Sequence, residues 1–459
     1  MQCPSTSCRG SRGTATSHQP DMNPPLHPVA ALDWNRRVVT LAFPIILANL
    51  AQPVLAMVDT AVAGHLSGPQ HLGGVALGGI LFSFLFWSFG FLRMATTGLA
   101  AQAYGANDLV ELRRQLLRAL LIAVLSGLTI LVLQRPLIAA GLMLMGGSGA
   151  VQQSAADYAF ARIWSAPASL GNFVMLGYLL GVQRVTLALL LQIGMNLLNL
   201  GATLLLAVGL EWGVAGIGAG TAIAEWATFL TALLYVKPFQ EMNAASFRQI
   251  LDRAAFRRLF MVNIDIFLRS FFLLVSFGWF TRAGAAEGDV VLAANAVLMN
   301  LHSFMAYGLD GFAHAAETLV GSAIGAKDRK ALRSVIKAAG IWSVVVALLF
   351  TLVYGLAGNI VVGLLTDQDS IRATAAEFMP YVVILPIASF AGFLLDGIFI
   401  GALRTRELRN SMFLSTVGFF AAAYFLQAAL GNHGLWLAMI AFMLFRAGAL
   451  TCYLGRIVR

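Results

Sequence analysis

Acidic and basic side chains lie within long apolar stretches of this chain, where an unpaired charge is costly. Such residues are candidates for function before any other feature is considered. The acids are Asp59, Glu225, Asp265, Asp310, Glu317 and Asp396, and the arginines are Arg93, Arg162, Arg269 and Arg446. Because both signs are present, we expect some of these groups to pair with each other.

Asp59 is the candidate for binding a coupling ion. It lies in PIILANLAQPVLAMVDTAVAGHL, where Pro44 and Pro53 interrupt backbone hydrogen bonds and can bend a helix. A carboxyl in an apolar cavity can take up a proton on one side of a membrane and release it when the cavity rehydrates or substrate arrives. The alternative is that Asp59 lies near the membrane interface, where it caps a helix or pairs with an arginine.

Two further segments of the first half carry polar residues at helical spacing. Asn196, Asn199 and Thr203 share one face of the first segment, and Thr221 and Glu225 share a face of the second. We expect these side chains to line a polar cavity opposite the candidate carboxyl. The alternative is hydrogen bonding between helices without a further role, worth about 0.6 kcal/mol for each bond.

Two acids of the second half have informative neighbours. Asp265 and Arg269 are four residues apart, so they share a helical face and are expected to neutralise each other. Asp396 lies beside Gly397 in FLLDGIFIG, and its position fits either a substrate pathway or helix packing.

Asp310, His314 and Glu317 lie on one face of a single helical segment. This cluster fits either a proton relay or a structural network between helices. No second His or Cys stands at ligand spacing from His314, so the sequence predicts no metal site. The 3 cysteines are too scattered for a disulfide framework.

The elements that must position these residues are membrane-spanning helices. Of the 459 residues, 59% are hydrophobic and only 11% are charged, and the mean hydropathy is +0.79. A soluble domain usually carries about 25% charged residues, and a span needs about 20 apolar residues. The sequence therefore predicts an all-α polytopic membrane protein with twelve transmembrane helices. The predicted spans are residues 38–63, 73–103, 115–139, 154–181, 186–209, 212–236, 258–281, 290–324, 335–365, 377–402, 411–430 and 434–455.

The net charge of +9 reports membrane orientation. Most basic residues fall in loops on one side of the predicted spans, and only Arg135, Arg282 and Arg372 fall in loops on the other. We expect the protein to lie in the inner membrane. By the positive-inside rule, both of its termini are expected to face the cytoplasm. No nucleic-acid partner is predicted. Residues 1–33 lack the apolar core of a signal peptide and are predicted to be a disordered cytoplasmic tail.

The chain contains an internal repeat. TTGLAAQAYGANDLVELRRQL, from Thr96, aligns with AETLVGSAIGAKDRKALRSVI, from Ala316, at a spacing of 220 residues, and the same spacing relates Gly181 to Gly401. Six spans separate equivalent points, so the two halves have the same orientation, as in transporters with parallel repeats. The predicted domains are a tail at 1–33, an N-terminal six-helix bundle at 34–236, a cytoplasmic linker at 237–257 and a C-terminal six-helix bundle at 258–459.

Glycine clusters and soft apolar residues complete the pattern. GGVALGG, from Gly73, and GVAGIGAGTA, from Gly213, are typical of close helix packing, because no strand or phosphate-loop context surrounds them. The 31 Phe and 16 Met residues could form an adaptable apolar cavity that accepts varied hydrophobic ligands.

Several segments resemble the multidrug and toxic compound extrusion (MATE) family, and specifically its DinF-like branch. They are VDTAVAGHL from Val58, NIDIFLRS from Asn263, AANAVLMNLHSFMAYGLDGFAHAAETLVGSAIGAKD from Ala293 and LDGIFIGALRTRELRNSM from Leu395. The resemblance covers nearly all of the chain after residue 35. It implies a V-shaped fold of two six-helix bundles and cation-coupled export of amphiphilic, often cationic, compounds.

The resemblance also implies roles for single residues of the first half. Proton-coupled members of the family place an acid in the first helix, which matches Asp59, and use polar residues that match Asn199 and Thr221. The family often has an aspartate where this sequence has Thr203. A proton network with two acids would therefore need Glu225 in its place.

A sodium site of other branches uses acids on the seventh and tenth helices, and these resemble Asp265 and Asp396. We therefore predict a cation-coupled antiporter with H⁺ as the coupling ion and Na⁺ as the alternative. No other cofactor is expected. The expected partners are small amphiphilic substrates and the lipid bilayer, and the protein is expected to be a monomer.

Two other functions remain as hypotheses. A lipid-linked precursor flippase would need a cationic cavity for phosphate headgroups, and Arg93 and Arg162 are the only intramembrane arginines that the sequence predicts for the first half. A membrane-embedded enzyme would need a nucleophile with a base, or a metal cluster. The sequence shows neither, so no enzyme activity is predicted.

Overall fold

A computed structural model describes residues 33–64, 66, 68–239 and 249–458. The predicted tail falls outside the described residues except for Asp33, and so does much of the predicted linker. The boundaries predicted for the two bundles stay predictions.

The described residues form helices without any strand. In the first half these are α1 Trp34–Gly64, α2 Pro69–Trp87, α3 Phe91–Gly105, α4 Leu109–Val132, α5 Gln134–Met145, α6 Gly149–Arg162, α7 Ala166–Gly181, α8 Val185–Thr203 and α9 Gly213–Val236. In the second half they are α10 Arg253–Ala286, α11 Asp289–Gly325, α12 Arg329–Leu365, α13 Asp369–Gly401, α14 Thr405–Leu430 and α15 Asn432–Val458.

Within the described residues, 11 helical stretches are long and apolar enough to cross a membrane. They correspond to the second to twelfth predicted spans. The first predicted span corresponds to α1, which has 31 residues and runs without a break through Pro44 and Pro53. The all-helical, multi-span prediction is confirmed.

Three predicted spans of the first half differ from single straight helices. Residues 88–90 form a turn between α2 and α3, in which Ser88 and Gly90 keep right-handed helical backbone angles. The span predicted to end at residue 139 ends at Val132 and is followed by the short α5. Between α6 and α7 a 3₁₀ turn precedes Pro167, whose missing N–H cannot continue an α-helical ladder.

The internal repeat is visible in the backbone. Asn107 and Lys327 both have a φ of 56°, and each is followed by an aspartate that caps the next helix. Asp108 accepts a hydrogen bond from the backbone N–H of Glu111, and Asp328 accepts from that of Ala331, both at 2.9 Å. These aspartates satisfy N–H groups that a helix start leaves without partners. The spacing of 220 residues therefore relates structure as well as sequence.

The hydrophobic cores show two lobes. One core lies within the first half and includes Phe82 and Tyr158, and another lies within the second half and includes Phe280 and Trp436. A third core joins the halves at the end of the molecule where α3, α7, α11 and α13 all terminate, and Val38 is fully buried there. We call this the joined end and the opposite one the far end.

Backbone contacts hold the two halves together at the joined end. A Cβ on Gly105 would collide with the carbonyl of Ser322, and a Cβ on Gly325 would collide with that of Gln102. These two contacts are equivalent under the repeat. The side chain of Gln102 also donates to the carbonyl of Gly401 at 2.9 Å. Small residues let the helix backbones approach this closely, so the repeat places its glycines at its own interface.

The glycine clusters predicted to pack helices do so. A Cβ on Gly74 or Gly78 would meet Ser154 or Tyr158 of α6, and one on Gly216 would meet the backbone of Ala207. A Cβ on Gly218 would meet the backbone carbonyl of Tyr158, so α2 and α9 both pack closely against α6 in the first-half core.

We expect Gly105→Ala to destabilise the purified protein, because the added methyl group meets the Ser322 carbonyl at an interface that cannot yield. Overpacking of this kind costs about 1–3 kcal/mol. Thermal unfolding in detergent measures the effect. Gly79→Ala is the matched control, since nothing lies within 4 Å of its Cβ position and it gains the same helix propensity. Equal unfolding midpoints for the two variants would show that the joined end is not closely packed.

Candidate functional site

Asp59 lies within the first half, buried among α1, α6 and α9. Its side chain is hydrogen-bonded to Thr221 and interacts electrostatically with Arg162. Its Oδ1 atom is buried and has no hydrogen-bond partner among the described residues. A buried carboxylate oxygen without a donor is costly, and a bound proton or cation removes that cost.

The polar faces predicted on α8 and α9 meet each other beside Asp59. The side-chain amide of Asn199 donates to the hydroxyl oxygen of Thr221 at 2.9 Å, and both residues are almost fully buried. Thr203 is also fully buried, and its hydroxyl has no partner in the described part of the chain. Asn196 lies nearer the surface, where it accepts from Gln192 at 3.4 Å. The structure therefore brings Asn199 and Thr221 together beside the carboxyl.

Glu225 occupies the other side of the same polar region. It accepts a hydrogen bond from the hydroxyl of Ser169 on α7, and its backbone carbonyl accepts from Asn172 at 2.9 Å. It also interacts electrostatically with Arg162 and Asp59. The two acids thus belong to one network.

Arg162 is the cation of this network. It donates to the hydroxyl of Tyr158, and its guanidinium carbon lies 4.9 Å from the ring centroid of Phe82. The ring face of Phe82 and the hydroxyl of Tyr158 stabilise the guanidinium charge of Arg162 within an apolar core. Sequence reasoning recognised Arg162 as an intramembrane charge but did not assign it as the partner of both carboxyls. Its wide separation in sequence from both acids gave no signal.

The charges of this network do not balance. Among the described residues, the carboxyls of Asp59 and Glu225 face the single guanidinium of Arg162. If both acids are ionised, the network carries one uncompensated negative charge in an apolar region. A bound proton or other cation neutralises it, so the site is suited to binding and releasing one positive charge.

A cavity of about 410 Å³ adjoins the network. Arg162, Glu225 and Ser169 form part of its wall, and Phe82, Phe86, Trp87, Phe173, Met175 and Met195 supply apolar surface. Tyr307 of α11 also contributes, so both halves line the cavity. This size and composition are typical of small-molecule sites.

The second half contains a differently organised cluster. Asp396 on α13 accepts hydrogen bonds from both Arg269 on α10 and Arg446 on α15. Asp310 interacts electrostatically with both arginines as well. Arg269 also interacts electrostatically with Arg93 of the first half, so this cluster has no shortage of positive charge.

The predicted pairing of Asp265 with Arg269 is wrong. Asp265 instead accepts from Arg409 at 2.6 Å and from the hydroxyl of Thr405 at 3.0 Å, both on α14. Arg269 reaches Asp396. Both side chains point across to neighbouring helices. If Asp265 and Arg269 paired with each other, Asp396 would lose one of its two arginine partners.

The predicted cluster on α11 is only partly present. His314 and Glu317 are in contact, with 3.1 Å between Nδ1 and the carboxylate, and Glu317 is fully buried. Asp310 belongs to the arginine cluster described above. Of the groups predicted to form one relay, the structure therefore brings two together.

Comparisons with known proteins agree with this geometry. The MatE family model matches residues 44–205 and 264–427, one match in each half of the repeat. The chain is 45% identical over 413 residues to DNA damage-inducible protein F of Escherichia coli, with 90% of each chain covered. It is 27% identical to a probable multidrug resistance protein NorM of Bradyrhizobium diazoefficiens, over 86% of this chain and 88% of that protein.

Solved structures show the same fold. A MOP superfamily transporter from Pyrococcus furiosus superimposes with a TM-score of 0.82 at 19% identity, covering 93% of this chain and 96% of that one. The outward-facing conformation of a multidrug resistance MATE family transporter gives a TM-score of 0.80 over the same shares. The V-shaped two-lobe fold predicted from the sequence is thus confirmed. With both halves matching one family model and nearly half of its residues shared with the E. coli protein, the chain belongs to the MatE family of multi-pass membrane proteins.

Proposed function

We propose that this protein is an inner-membrane antiporter that exports amphiphilic, often cationic, compounds in exchange for protons. The observation that carries the proposal is the charge imbalance around Arg162, because two buried carboxyls interact electrostatically with this one guanidinium. Asp59 is the proton-binding group, and Glu225 is the second acid. The protein works as a monomer and is not an enzyme.

The shared cavity supports small, apolar substrates that carry a positive charge. Its aromatic and methionine side chains adapt to varied shapes. Where the cavity adjoins the network, it carries a net negative charge whenever both Asp59 and Glu225 are deprotonated. A cationic substrate and a proton therefore compete for the same excess charge, which is the requirement for exchange. Relatives are named for multidrug resistance, in agreement with this substrate class.

The orientation of the chain follows from its basic residues. Arg113, Arg184, Arg333 and Arg404 all lie in or next to loops at the joined end. By the positive-inside rule, that end faces the cytoplasm, as do both termini. The separated lobes then face outward, like the outward-facing transporter with which the chain superimposes. Closing the far end and parting the joined end would expose the cavity to the other side.

Sodium coupling through Asp265 and Asp396 is the alternative ion mechanism. Each of these carboxylates already binds an arginine, Arg409 in the first case and Arg269 with Arg446 in the second. A sodium ion would have to displace a guanidinium from each site. The network of the first half has no such competitor for its excess charge, so the proton mechanism is preferred.

A lipid-linked precursor flippase needs a cationic cavity for phosphate headgroups. Arg162 lines the shared cavity, but Glu225 lies in the same wall. The cavity is therefore not cationic, and the exporter is the preferred function.

Asp59→Asn is expected to abolish proton-coupled uptake of ethidium into everted vesicles, because the amide keeps the shape and hydrogen bonding of the carboxyl but cannot exchange a proton. Fluorescence of the dye after a proton gradient is imposed measures uptake. Asp157→Asn is the matched control, since this acid lies exposed on α6 and accepts only from Gln153. If Asp59→Asn vesicles accumulate dye as fast as unchanged ones, Asp59 is not the coupling residue.

Arg162→Gln is expected to destabilise the protein, because it removes the cation that interacts electrostatically with two buried carboxyls. Adding Glu225→Gln removes one of those charges, so the double variant should regain part of the lost stability. Thermal unfolding of purified proteins measures both effects. Strictly additive losses in the double variant would show that Arg162 and Glu225 do not interact.

Replacing sodium by choline is expected to leave drug-driven ion release unchanged in liposomes that contain the purified protein. Drug addition should release protons, detected with a pH-sensitive dye, because the excess charge of the first half binds them. Parallel measurement of ²²Na⁺ tests the alternative. Drug-driven sodium release without proton release would contradict the proposal.

A further inference from the structure

A second cavity, of about 1260 Å³, lies at the joined end of the second half and has no part in the network of Asp59. It is bounded by the start of α10, the start of α14 and the end of α15. Its lining contains Arg253, Arg257, Arg258, Arg404, Arg406 and Arg456. Such a concentration of guanidinium groups at the entry of helices into a membrane is unusual even for a basic surface.

The acids of this basic cavity are already engaged. Asp252 caps α10 by accepting from the backbone N–H of Ala255 at 2.9 Å. Glu407 pairs with Arg404 at 3.1 Å. Asp265 is held by Arg409, as described above. The excess of positive charge is therefore not cancelled from within the cavity.

Four of the arginines have no counter-ion among the residues that the structure describes. Arg253, Arg257, Arg258 and Arg406 are exposed and make no ion pair with the described residues. Arg456 lies 5.1 Å from the ring centroid of Tyr453, a contact that leaves its N–H groups available. Guanidinium groups bind phosphate oxygens in a bidentate manner, and several converging ones select for phosphate.

The positive-inside rule alone does not explain this cavity. The repeat puts Arg37 and Arg184 where the second half has Arg257 and Arg404, and the orientation that both halves share explains these two. It puts Asp33, Val38, Thr186 and Val236 where the second half has Arg253, Arg258, Arg406 and Arg456. These four arginines are specific to the second half, and orientation alone does not require them.

Apolar surface at the same place indicates which phosphate compound binds. Met261, Val262 and Leu403 line the cavity beside the arginines. Phe260 and Met261 are 60% and 42% exposed. A free phosphate ion would leave this surface uncovered, whereas the acyl chains of a lipid would cover it.

We propose that the basic cavity binds the phosphodiester headgroup of an anionic membrane lipid, with its acyl chains along the start of α10. Three cations from two helices, Arg257 and Arg258 on α10 and Arg406 on α14, hold the headgroup. The lipid bridges α10 to α14 and replaces the missing counter-ions. This site is independent of the proposed transport mechanism.

The test uses the purified full-length protein in a neutral detergent and titrates it with soluble, short-chain lipids. Dihexanoyl phosphatidylglycerol should bind, measured by isothermal titration calorimetry. Dihexanoyl phosphatidylcholine, which has no net charge, should bind about tenfold or more weakly. Inorganic phosphate should also bind more weakly, because it lacks the acyl chains. Phosphate binding as tight as that of the lipid would overturn the lipid assignment.

The triple variant Arg257→Gln, Arg258→Gln, Arg406→Gln should weaken phosphatidylglycerol binding by about tenfold or more. The matched control is Arg329→Gln, Lys330→Gln, Lys337→Gln, which removes the same charge from exposed positions at the same end of the same half. It should change affinity by less than about twofold. Equal losses in the two variants would mean that only the general surface charge attracts the lipid, and would overturn the proposed site.

A third variant separates loss of the site from loss of the fold. Arg257→Lys, Arg258→Lys, Arg406→Lys keeps the charge but loses the bidentate guanidinium geometry, so it should retain part of the affinity for phosphatidylglycerol. If the glutamine variant unfolds, the lysine variant still decides the question, since its affinity must exceed that for phosphatidylcholine. Equal affinities for both lipids in the lysine variant and in the unchanged protein would refute the proposal.

Discussion

The cost of burying charge in an apolar medium is the constraint on which this molecule depends. Each buried charge must find an opposite charge or a set of hydrogen bonds, or else exchange its proton. In the second half, Asp396 satisfies the constraint with two arginines, and Asp265 does so with Arg409 and Thr405. In the first half, Arg162 serves two acids at once. That one shortage of positive charge distinguishes a group that can exchange an ion from groups that only hold helices together.

The shortage can drive motion only because the halves are joined at one end. Glycines there let backbone meet backbone, and their repeat symmetry gives Gly105 and Gly325 the same contact. Such contacts favour full closure or full separation, because a gap of about 0.5–1 Å already loses about a quarter to a half of the dispersion energy. Helix α1 contains Asp59 and also contributes to the shared core through Val38. One helix therefore connects the charge to the interface.

The sequence predicted the helical architecture better than it predicted which charged side chains pair with each other. Apolar length, basic loops and the repeat predicted the spans, and helical spacing predicted that Asn199 and Thr221 share a site. It failed for Asp265 and Arg269, because spacing along one helix says nothing about side chains that reach another helix. It also missed the break between α2 and α3, where hydropathy stays high across the turn. Contacts between helices are tertiary information, and a single sequence carries no direct signal for them.

The repeat shows that the charged residues differ between the two halves, whereas the residues of the interface between the halves are shared. The positions equivalent to Asp59, Arg162 and Glu225 hold Trp279, Val382 and Phe445, so no charge of the exchange network has a counterpart in the second half. The reverse also holds, since Ile45, Asn49 and Leu176 stand where the second half has Asp265, Arg269 and Asp396. Glycines and helix caps, in contrast, recur in register. An interface made by backbone contacts needs small residues in both halves. An ion needs only one binding site. The charged residues of each half could therefore differ without disturbing the interface at the joined end.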